Sequence, residues 1–203
     1  MTESHFLLIN TLGGLCSVAV SRGNMVLDSQ SIKTDKGCSE ILLPMIENTL
    51  NNCKLSIKKL SGFLVCTGPG NYTSLRVAIS TVRGLSLATG KPACGISLFE
   101  LMSTKENKVL VVLEGPAKKI YVQNFSDGFE INPPRLLTLD EIKKTEEFFG
   151  AQTIGFQAKS ISKLIKGKKY LECSKVSFKK FIEIGQIKHK KTCLKPTPLY
   201  IRT

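Results

Sequence analysis

One continuous stretch, residues 63–92, constrains the fold of this chain more than any other. Its first residues are apolar or β-branched and end at a Gly-Pro-Gly sequence, which predicts a short buried strand stopped by a tight turn. A helix is predicted next, because Asn71 or Thr73 can cap its first turn and Gly90 ends it. The stretch therefore predicts a strand, a glycine-rich turn and a helix in direct succession.

The predicted helix has a face almost without side chains, because Ser80, Gly84 and Ala88 recur every four residues. Arg76 and Arg83 share a second face, and most of the remaining surface is Val, Ile and Leu. A helix this apolar either packs between layers of its own domain or presents one face to another molecule. The pattern leaves both interpretations open.

The glycine-rich turn also has two interpretations. Backbone N–H groups at a helix N-terminus attract anions, so the turn could hold a phosphate. However, the sequence has neither the lysine of a P-loop nor the spacing of a dinucleotide-binding motif. The favoured interpretation is that the glycines only allow the strand to turn sharply into the helix.

Residues 1–103 are predicted to form one α/β lobe. Three antiparallel strands open it, and a helix follows with Ser39 as its cap and Pro44 inside its first turns. After the central strand and helix, residues 93–96 form a last strand. Strand-helix-strand connections require parallel neighbours and a right-handed crossover, so we expect a mixed sheet covered by helices.

Residues 104–203 are predicted to form a second, shorter lobe. Its strands at 109–113 and 120–125 repeat the strand and turn pattern that opens the chain. Thr138 and Glu141 have the spacing of a capping box for the helix that follows. A strand at 152–156 and a helix at 177–184 are assigned to the same lobe. Two prolines keep the last residues extended.

The formal net charge of +13 is unevenly distributed along the chain. The first 103 residues hold 9 Lys and Arg against 6 Asp and Glu, whereas the remaining residues hold 20 against 10. A basic second half favours contact with nucleic acid or with an acidic protein surface. Many lysine runs are only solvated faces, so the charge alone does not choose between these interpretations.

Cysteines and histidines give little sign of a metal site. The 7 cysteines include no C-x-x-C pair, which favours reduced thiols over a zinc site. The 2 histidines, His5 and His189, are too few for a histidine cluster. No apolar run reaches the roughly 18–20 residues of a membrane span and no basic leader is present, so we expect a cytoplasmic protein without membrane contact.

The segment GPGNYTSLR, followed by a small-residue helix that ends in ATGKP, resembles the GPGSFTGLR signature of the TsaB (YeaZ) family. The segment PPRLLTLDEI and the P-x-Y-x-R end resemble the family's second half and tail. The resemblance implies an α/β actin-like or Hsp70-like ATPase (ribonuclease-H-like) fold. This fold has two lobes of mixed sheets with flanking helices, and here the second lobe is expected to be abbreviated.

The resemblance also implies a non-catalytic scaffold subunit without a cofactor. Such a subunit binds and activates the transferase TsaD, which acts with the ATPase TsaE to attach threonylcarbamoyl to the tRNA adenosine next to the anticodon. When alone, it is expected to form a homodimer, and tRNA contact is expected to be indirect, through the basic C-terminal lobe. The predicted partner interface is Leu42, Met45, Ile46, Arg76, Val77, Ser80, Arg83 and Gly84. The turn-forming signature is Gly68, Pro69, Gly70, Asn71, Tyr72 and Thr73.

Three departures from the family pattern bear on activity. Asn10 stands where the family shows an Asp, and a neutral amide cannot supply the charge that holds a divalent cation. Cys38 replaces a His, and Ser74 stands where Gly is usual. These departures predict no catalytic or metal site. A residual nucleotide-dependent enzyme, such as a small-molecule kinase, and a tRNA-binding module are the alternatives, while a metallopeptidase is disfavoured by the missing histidines.

Overall fold

The computed structural model describes residues 3–34, 38–172, 176–191 and 195–201. Its contacts divide the chain into two compact units. The first comprises Met1–Leu98 and Val176–Leu199, and the second comprises Phe99–Lys175 and Tyr200–Thr203. Among the described residues, no helix combines the length and the apolar character that crossing a bilayer requires.

The first unit contains a five-stranded mixed sheet in the order β3-β2-β1-β4-β5. The first three strands pair antiparallel, while β4 lies parallel to β1 and β5 lies parallel to β4, as the sequence predicted. The strands are β1 (His5–Asn10), β2 (Leu15–Arg22), β3 (Met25–Lys33), β4 (Gly62–Cys66) and β5 (Ala93–Ile96).

Two long helices connect these strands. The helix α1 (Cys38–Asn52) contacts β2 and β3, and α2 (Tyr72–Thr89) contacts β4 and β5. The two helices also contact each other. Pro44 lies inside α1 as predicted, and a short 3₁₀ turn (Ile57–Lys59) precedes β4. The short helix α3 (Leu98–Met102) follows β5.

A third long helix of the first unit comes from the end of the chain. This helix, α6 (Phe178–Lys191), contacts β1, β3, β4 and β5. Its Gly185 lies directly against the side chain of Leu64, and the ring of His189 meets the ring of Phe6 edge-on at 5.0 Å. The sequence assigned this segment to the second lobe. The structure differs because α6 completes the burial of the first sheet.

The second unit repeats the strand order of the first. Its sheet has the order β8-β7-β6-β10-β11, which corresponds strand by strand to β3-β2-β1-β4-β5 of the first unit. The short strand β9 also pairs with β7. As in the first unit, the opening strands pair antiparallel, while β10 lies parallel to β6 and β11 parallel to β10. The strands are β6 (Val109–Glu114), β7 (Ile120–Ser126), β8 (Phe129–Glu130), β9 (Arg135–Leu137), β10 (Gln152–Gly155) and β11 (Tyr170–Leu171).

The helices of the second unit are short. The helix α4 (Leu139–Lys144) has the predicted capping box between Thr138 and Glu141, but it ends well before Gly150. A 3₁₀ turn (Glu146–Phe148) and α5 (Ala158–Leu164) follow. Each strand of the first sheet therefore has a counterpart in the second sheet. The second unit is shorter, as predicted, because its helices are short. The core residues are Leu110, Val112, Ile120, Val122, Ile142, Phe148, Ala151, Ile161 and Ile165.

Candidate docking surface

The turn after β4 requires its glycines for structural reasons. Gly68 is buried with φ at +100°, a backbone angle that favours glycine. A side chain at Gly70 would collide with Leu12. The carbonyl of Gly68 accepts a hydrogen bond from the N–H of Leu98 at 2.7 Å, which ties the turn to the residues after β5. These contacts support the interpretation that the glycines shape the turn.

The start of α2 is fixed by one side chain. The Oδ1 atom of Asn71 accepts hydrogen bonds from the N–H groups of Thr73 at 3.0 Å and Ser74 at 3.2 Å. Of the two predicted caps, Asn71 is therefore the one used. The hydroxyl of Thr11 donates to the carbonyl of Ser74 at 3.0 Å, which links the end of β1 to the first turn of α2. Tyr72 and Thr73 are exposed.

The helix α2 packs one face on its own unit and exposes the other. Its buried side is apolar and consists of Leu75, Ala78, Ile79 and Val82. The opposite side exposes four of the predicted interface residues, and Val77 lies half-buried at its margin. Leu87 on this side is 80% exposed, the largest exposed fraction among the large apolar residues described. The exposed residues are Arg76, Ser80, Arg83, Gly84 and Leu87.

Gly84 is unusual because nothing within the described structure requires a glycine there. A Cβ atom added at Gly84 would meet no atom within 4 Å, and Gly84 is not among the glycines with positive φ. A glycine inside a helix costs about 0.5–1 kcal/mol relative to alanine. The helix therefore carries an energetic cost at Gly84 that no contact in the described residues explains.

The structure corrects the predicted interface on α1. Leu42, Met45 and Ile46 are only 0%, 2% and 4% exposed, so they cannot present their side chains to a partner. The reason is that the apolar stripe of α1 serves its own unit, where the helix contacts β2 and β3. The outer side of α1 instead exposes Glu40, Leu43 and Glu47, and Leu43 is 55% exposed.

We use the name docking face for the exposed outer sides of α1 and α2. This face combines exposed leucines, glutamates, arginines and small residues. Its members are Glu40, Leu43, Glu47, Arg76, Ser80, Arg83, Gly84 and Leu87.

A cleft adjoins the docking face within the first unit. It has a volume of about 140 Å³, and Arg83 and Leu87 line it together with Ser86, Pro92 and Ala93. Lys195 and Pro196 complete the lining. Sequence analysis could not place these two residues beside α2, because more than a hundred residues separate them from the helix. The extended segment at residues 195–201 is anchored to the first unit, because the N–H of Leu199 donates a hydrogen bond to the carbonyl of Thr67 at 2.8 Å.

The end of β1 is where an actin-like fold implies a metal ion and nucleotide phosphates. Asn10 lies there and is 8% exposed, and its Oδ1 atom has no hydrogen-bond partner among the residues the structure describes. Its neutral amide does not fit a divalent cation, which carboxylate oxygens hold best. Within the described ranges no group of three His, Cys, Asp or Glu side chains could hold a metal.

The cysteines that the structure describes are not all in the same state. Cys16, Cys38 and Cys53 are free thiols, whereas Cys94 is disulfide-bonded. The prediction of reduced thiols throughout the chain is therefore wrong for Cys94. Sequence spacing could not reveal this, because no C-x-x-C or other short motif includes Cys94.

Known proteins resemble this chain in sequence. A model of the family TsaD, tRNA N6-adenosine threonylcarbamoyltransferase, matches residues 32–189. TsaB of Buchnera aphidicola (subspecies Acyrthosiphon pisum) is 32% identical over 112 residues, which cover 52% of this chain and 50% of that protein. TsaB of Bacillus subtilis is 26% identical over 97 residues, covering 48% of this chain and 42% of the relative. The chain thus spans about half the length of the curated relatives it matches.

Solved structures show the same fold. YeaZ from Pseudomonas aeruginosa superimposes with a TM-score of 0.78 at 17% identity, covering 97% of this chain and 100% of that one. The two mixed sheets with their shared strand order define an actin-like α/β protein. At the end of β1, the described residue is Asn10, whose neutral amide does not fit a divalent cation. The chain belongs to the family that the TsaD model describes, and it is similar to the TsaB (YeaZ) proteins.

Proposed function

We propose that this chain is a non-catalytic subunit in the biosynthesis of threonylcarbamoyladenosine in tRNA. In this proposal it binds and activates a TsaD-like transferase, and a TsaE-like ATPase acts with them. The names of its relatives support the pathway, because the TsaB proteins are described as threonylcarbamoyladenosine biosynthesis proteins. The lack of a fitting cation ligand at Asn10 supports a role without catalysis.

The observation that carries the proposal is the exposed helix surface at Gly84. Selection for stability alone would favour alanine at this position, because the added methyl group would meet nothing. A glycine is explained if a backbone or side chain from outside the chain approaches α2 closely there. Ser80 and Ala88, also exposed, extend this narrow surface along the helix.

Charge distribution indicates what kind of surface fits the docking face. The outer side of α1 carries Glu40 and Glu47, and that of α2 carries Arg76 and Arg83. We consider a related subunit with a similar pair of helices, placed so that a two-fold axis relates it to this chain. The acidic residues of each subunit would then lie opposite the basic residues of the other. The same geometry supports homodimer formation when the partner is absent.

The second unit is proposed to contribute indirect contact with tRNA. Its residues from α5 to β11 expose lysines at positions 159, 163, 166, 168 and 169. Exposed lysines attract phosphate groups without reading a base sequence. These lysines support the proposed contact with tRNA through the second unit.

Reconstitution tests the proposed function. The assay combines a TsaD-like transferase, a TsaE-like ATPase, tRNA, a threonine-derived adenylate and ATP, with and without this chain. We expect modified adenosine to accumulate only in its presence. Equal accumulation without the chain would contradict the proposal.

A nucleotide-dependent enzyme is the second candidate, and one observation favours it. The buried Oδ1 atom of Asn10 could accept a hydrogen bond from a ligand, since no described residue donates to it. Titration calorimetry with ATP and Mg²⁺ distinguishes the two candidates. Tight binding to the isolated chain that depends on Mg²⁺ would favour an enzyme, and absence of binding would favour the subunit role.

A further inference from the structure

Two thiols meet in the core of the first unit, at a place that the proposed function does not use. Cys16 lies on β2 and Cys38 is the first residue of α1. Their Sγ atoms are 3.5 Å apart, and the Cys38 thiol donates a hydrogen bond to that of Cys16. Cys16 is fully buried, while Cys38 is 6% exposed.

We propose that Cys16 and Cys38 form a redox-active dithiol, which a hydroperoxide oxidises to an intramolecular disulfide. Each of the two residues has a separate role. Cys38 is the thiol that attacks the peroxide, and Cys16 is the thiol that resolves the product.

The geometry is close to that of a disulfide. A disulfide needs about 2.05 Å between the sulfur atoms, so the two thiols must approach by roughly 1.5 Å. Rotation of the side chains and a small shift of the first turn of α1 can supply this movement. Cys53, by contrast, is half-buried and more accessible, but it has no described thiol against it.

The environments of Cys16 and Cys38 indicate which of the two thiols attacks the peroxide. Cys38 begins a helix of 15 residues, and the dipole at the N-terminus of a helix favours a thiolate. Burial raises the pKa of both thiols, that of Cys16 to about 12, while the hydrogen bond between the two thiols opposes the rise in the pKa of Cys38. Cys38 therefore ionises before Cys16, and it is also the more exposed of the two.

The reaction has two balanced steps. The Cys38 thiolate attacks one peroxide oxygen, an S–O bond forms, the O–O bond breaks, and hydroxide leaves and takes up a proton as water. This gives a sulfenic acid at Cys38. The Cys16 sulfur then attacks the Cys38 sulfur, the S–O bond breaks, and the leaving hydroxide takes the Cys16 proton. In total, two thiols and one hydrogen peroxide give one disulfide and two waters.

The disulfide would alter the first unit in a measurable way. It would close the chain segment that contains the β2–β3 hairpin and tie the start of α1 to β2. Cross-links of this length restrict the unfolded chain and raise the unfolding midpoint by roughly 5–10 °C when they introduce no strain. Because burial raises both thiol pKa values, oxidation is expected to be slow at neutral pH and faster under alkaline conditions.

The test treats the full chain with hydrogen peroxide, alkylates the remaining thiols, digests the protein and analyses the peptides by mass spectrometry. We expect a linked peptide pair joining Cys16 to Cys38, which dithiothreitol separates. A Cys53→Ser control should form the same link, and a Cys16→Ser variant should instead accumulate sulfenic acid at Cys38 that dimedone traps.

Two results would overturn the proposal. One is direct conversion of Cys38 to a sulfinic acid in the wild type without a linked peptide. The other is oxidation of Cys53 at a peroxide concentration that leaves Cys16 and Cys38 as free thiols. Circular dichroism of the variants establishes that each is folded, and the wild-type measurement depends on no substitution.

Discussion

Gly84 and Gly185 lie in helices of the same unit, yet their surroundings are opposite. Gly84 faces open space, whereas Gly185 is buried against the side chain of Leu64. Sequence inspection predicted the small-residue surface around Gly84. It could not show which of the two glycines is required for packing within the chain. The packing of α6 on the sheet shows that a glycine is required at position 185, because a larger side chain would collide with Leu64.

Alanine substitutions at the two glycines should therefore have opposite effects. Gly84→Ala should stabilise the protein by roughly 0.5–1 kcal/mol, because it improves helix propensity without a clash. Gly185→Ala should destabilise it by roughly 1–3 kcal/mol, since the buried Leu64 has little room to move. Urea unfolding measures both. Equal destabilisation by both substitutions would contradict the described packing.

His189 should make stability depend on pH. Burial lowers the pKa of His189, so the unfolded chain binds a proton at a higher pH than the folded chain. The contribution of His189 to the free energy of unfolding is therefore fully present above the pKa of the unfolded state. It is lost as the pH falls through the lower pKa of the folded state. We expect the unfolding free energy to decrease between pH 7.5 and 5.5, and His189→Gln to flatten that decrease. An unchanged slope in a folded His189→Gln variant would contradict the assignment.

Among the secondary structure elements, local signals predicted α2 better than α1 or α6. The cap at Asn71, the glycine-rich turn and the C-terminal Gly90 are local features, and the structure confirms each. The exposed side of α1 was mispredicted, because an apolar stripe has the same pattern whether it covers the chain's own sheet or a partner. The placement of α6 was missed for a similar reason, since periodicity does not say which sheet a helix covers.

The capping box of α4 should contribute measurably to stability. The Thr138 hydroxyl accepts from the N–H of Glu141 at 3.3 Å, and the Glu141 carboxylate accepts from the N–H of Thr138 at 2.7 Å. The N–H and the hydroxyl of Thr138 both donate to the Glu141 carboxylate, and these two hydrogen bonds lower the pKa of Glu141. Thr138→Ala should destabilise the chain by about 1 kcal/mol in chemical unfolding. Ser160→Ala on exposed α5 is the control, and an equally small change in both variants would show that the box contributes nothing.

The chain as a whole contains the same strand order twice. The sequence indicated this repetition only through the strand and turn pattern near residues 109–125, because the later strands β8, β9 and β11 are too short to give a period. The two units differ most in their helices. Those of the first unit are long enough to expose a continuous outer surface, whereas α4 and α5 have only 6 and 7 residues.

The return of α6 to the first unit has a consequence for folding. A fragment of residues 1–103 lacks the helix that packs on Phe6 and Leu64, so its sheet would expose apolar residues. We expect this fragment to unfold without a cooperative transition, and a fused or co-expressed segment 176–199 to restore one. Thermal melts followed by near-ultraviolet circular dichroism measure the difference. A cooperative transition in the 1–103 fragment alone would contradict the structural role of α6.

The docking face is the central claim, and the affinity for a TsaD-like subunit tests it most directly. Titration calorimetry would compare the wild type with Gly84→Leu and with the Ser160→Leu control. We predict that Gly84→Leu weakens binding by at least about tenfold, a change of about 1.4 kcal/mol, because the leucine occupies the space a partner must approach. The control should bind as the wild type does. Undiminished binding by a folded Gly84→Leu variant would contradict the account.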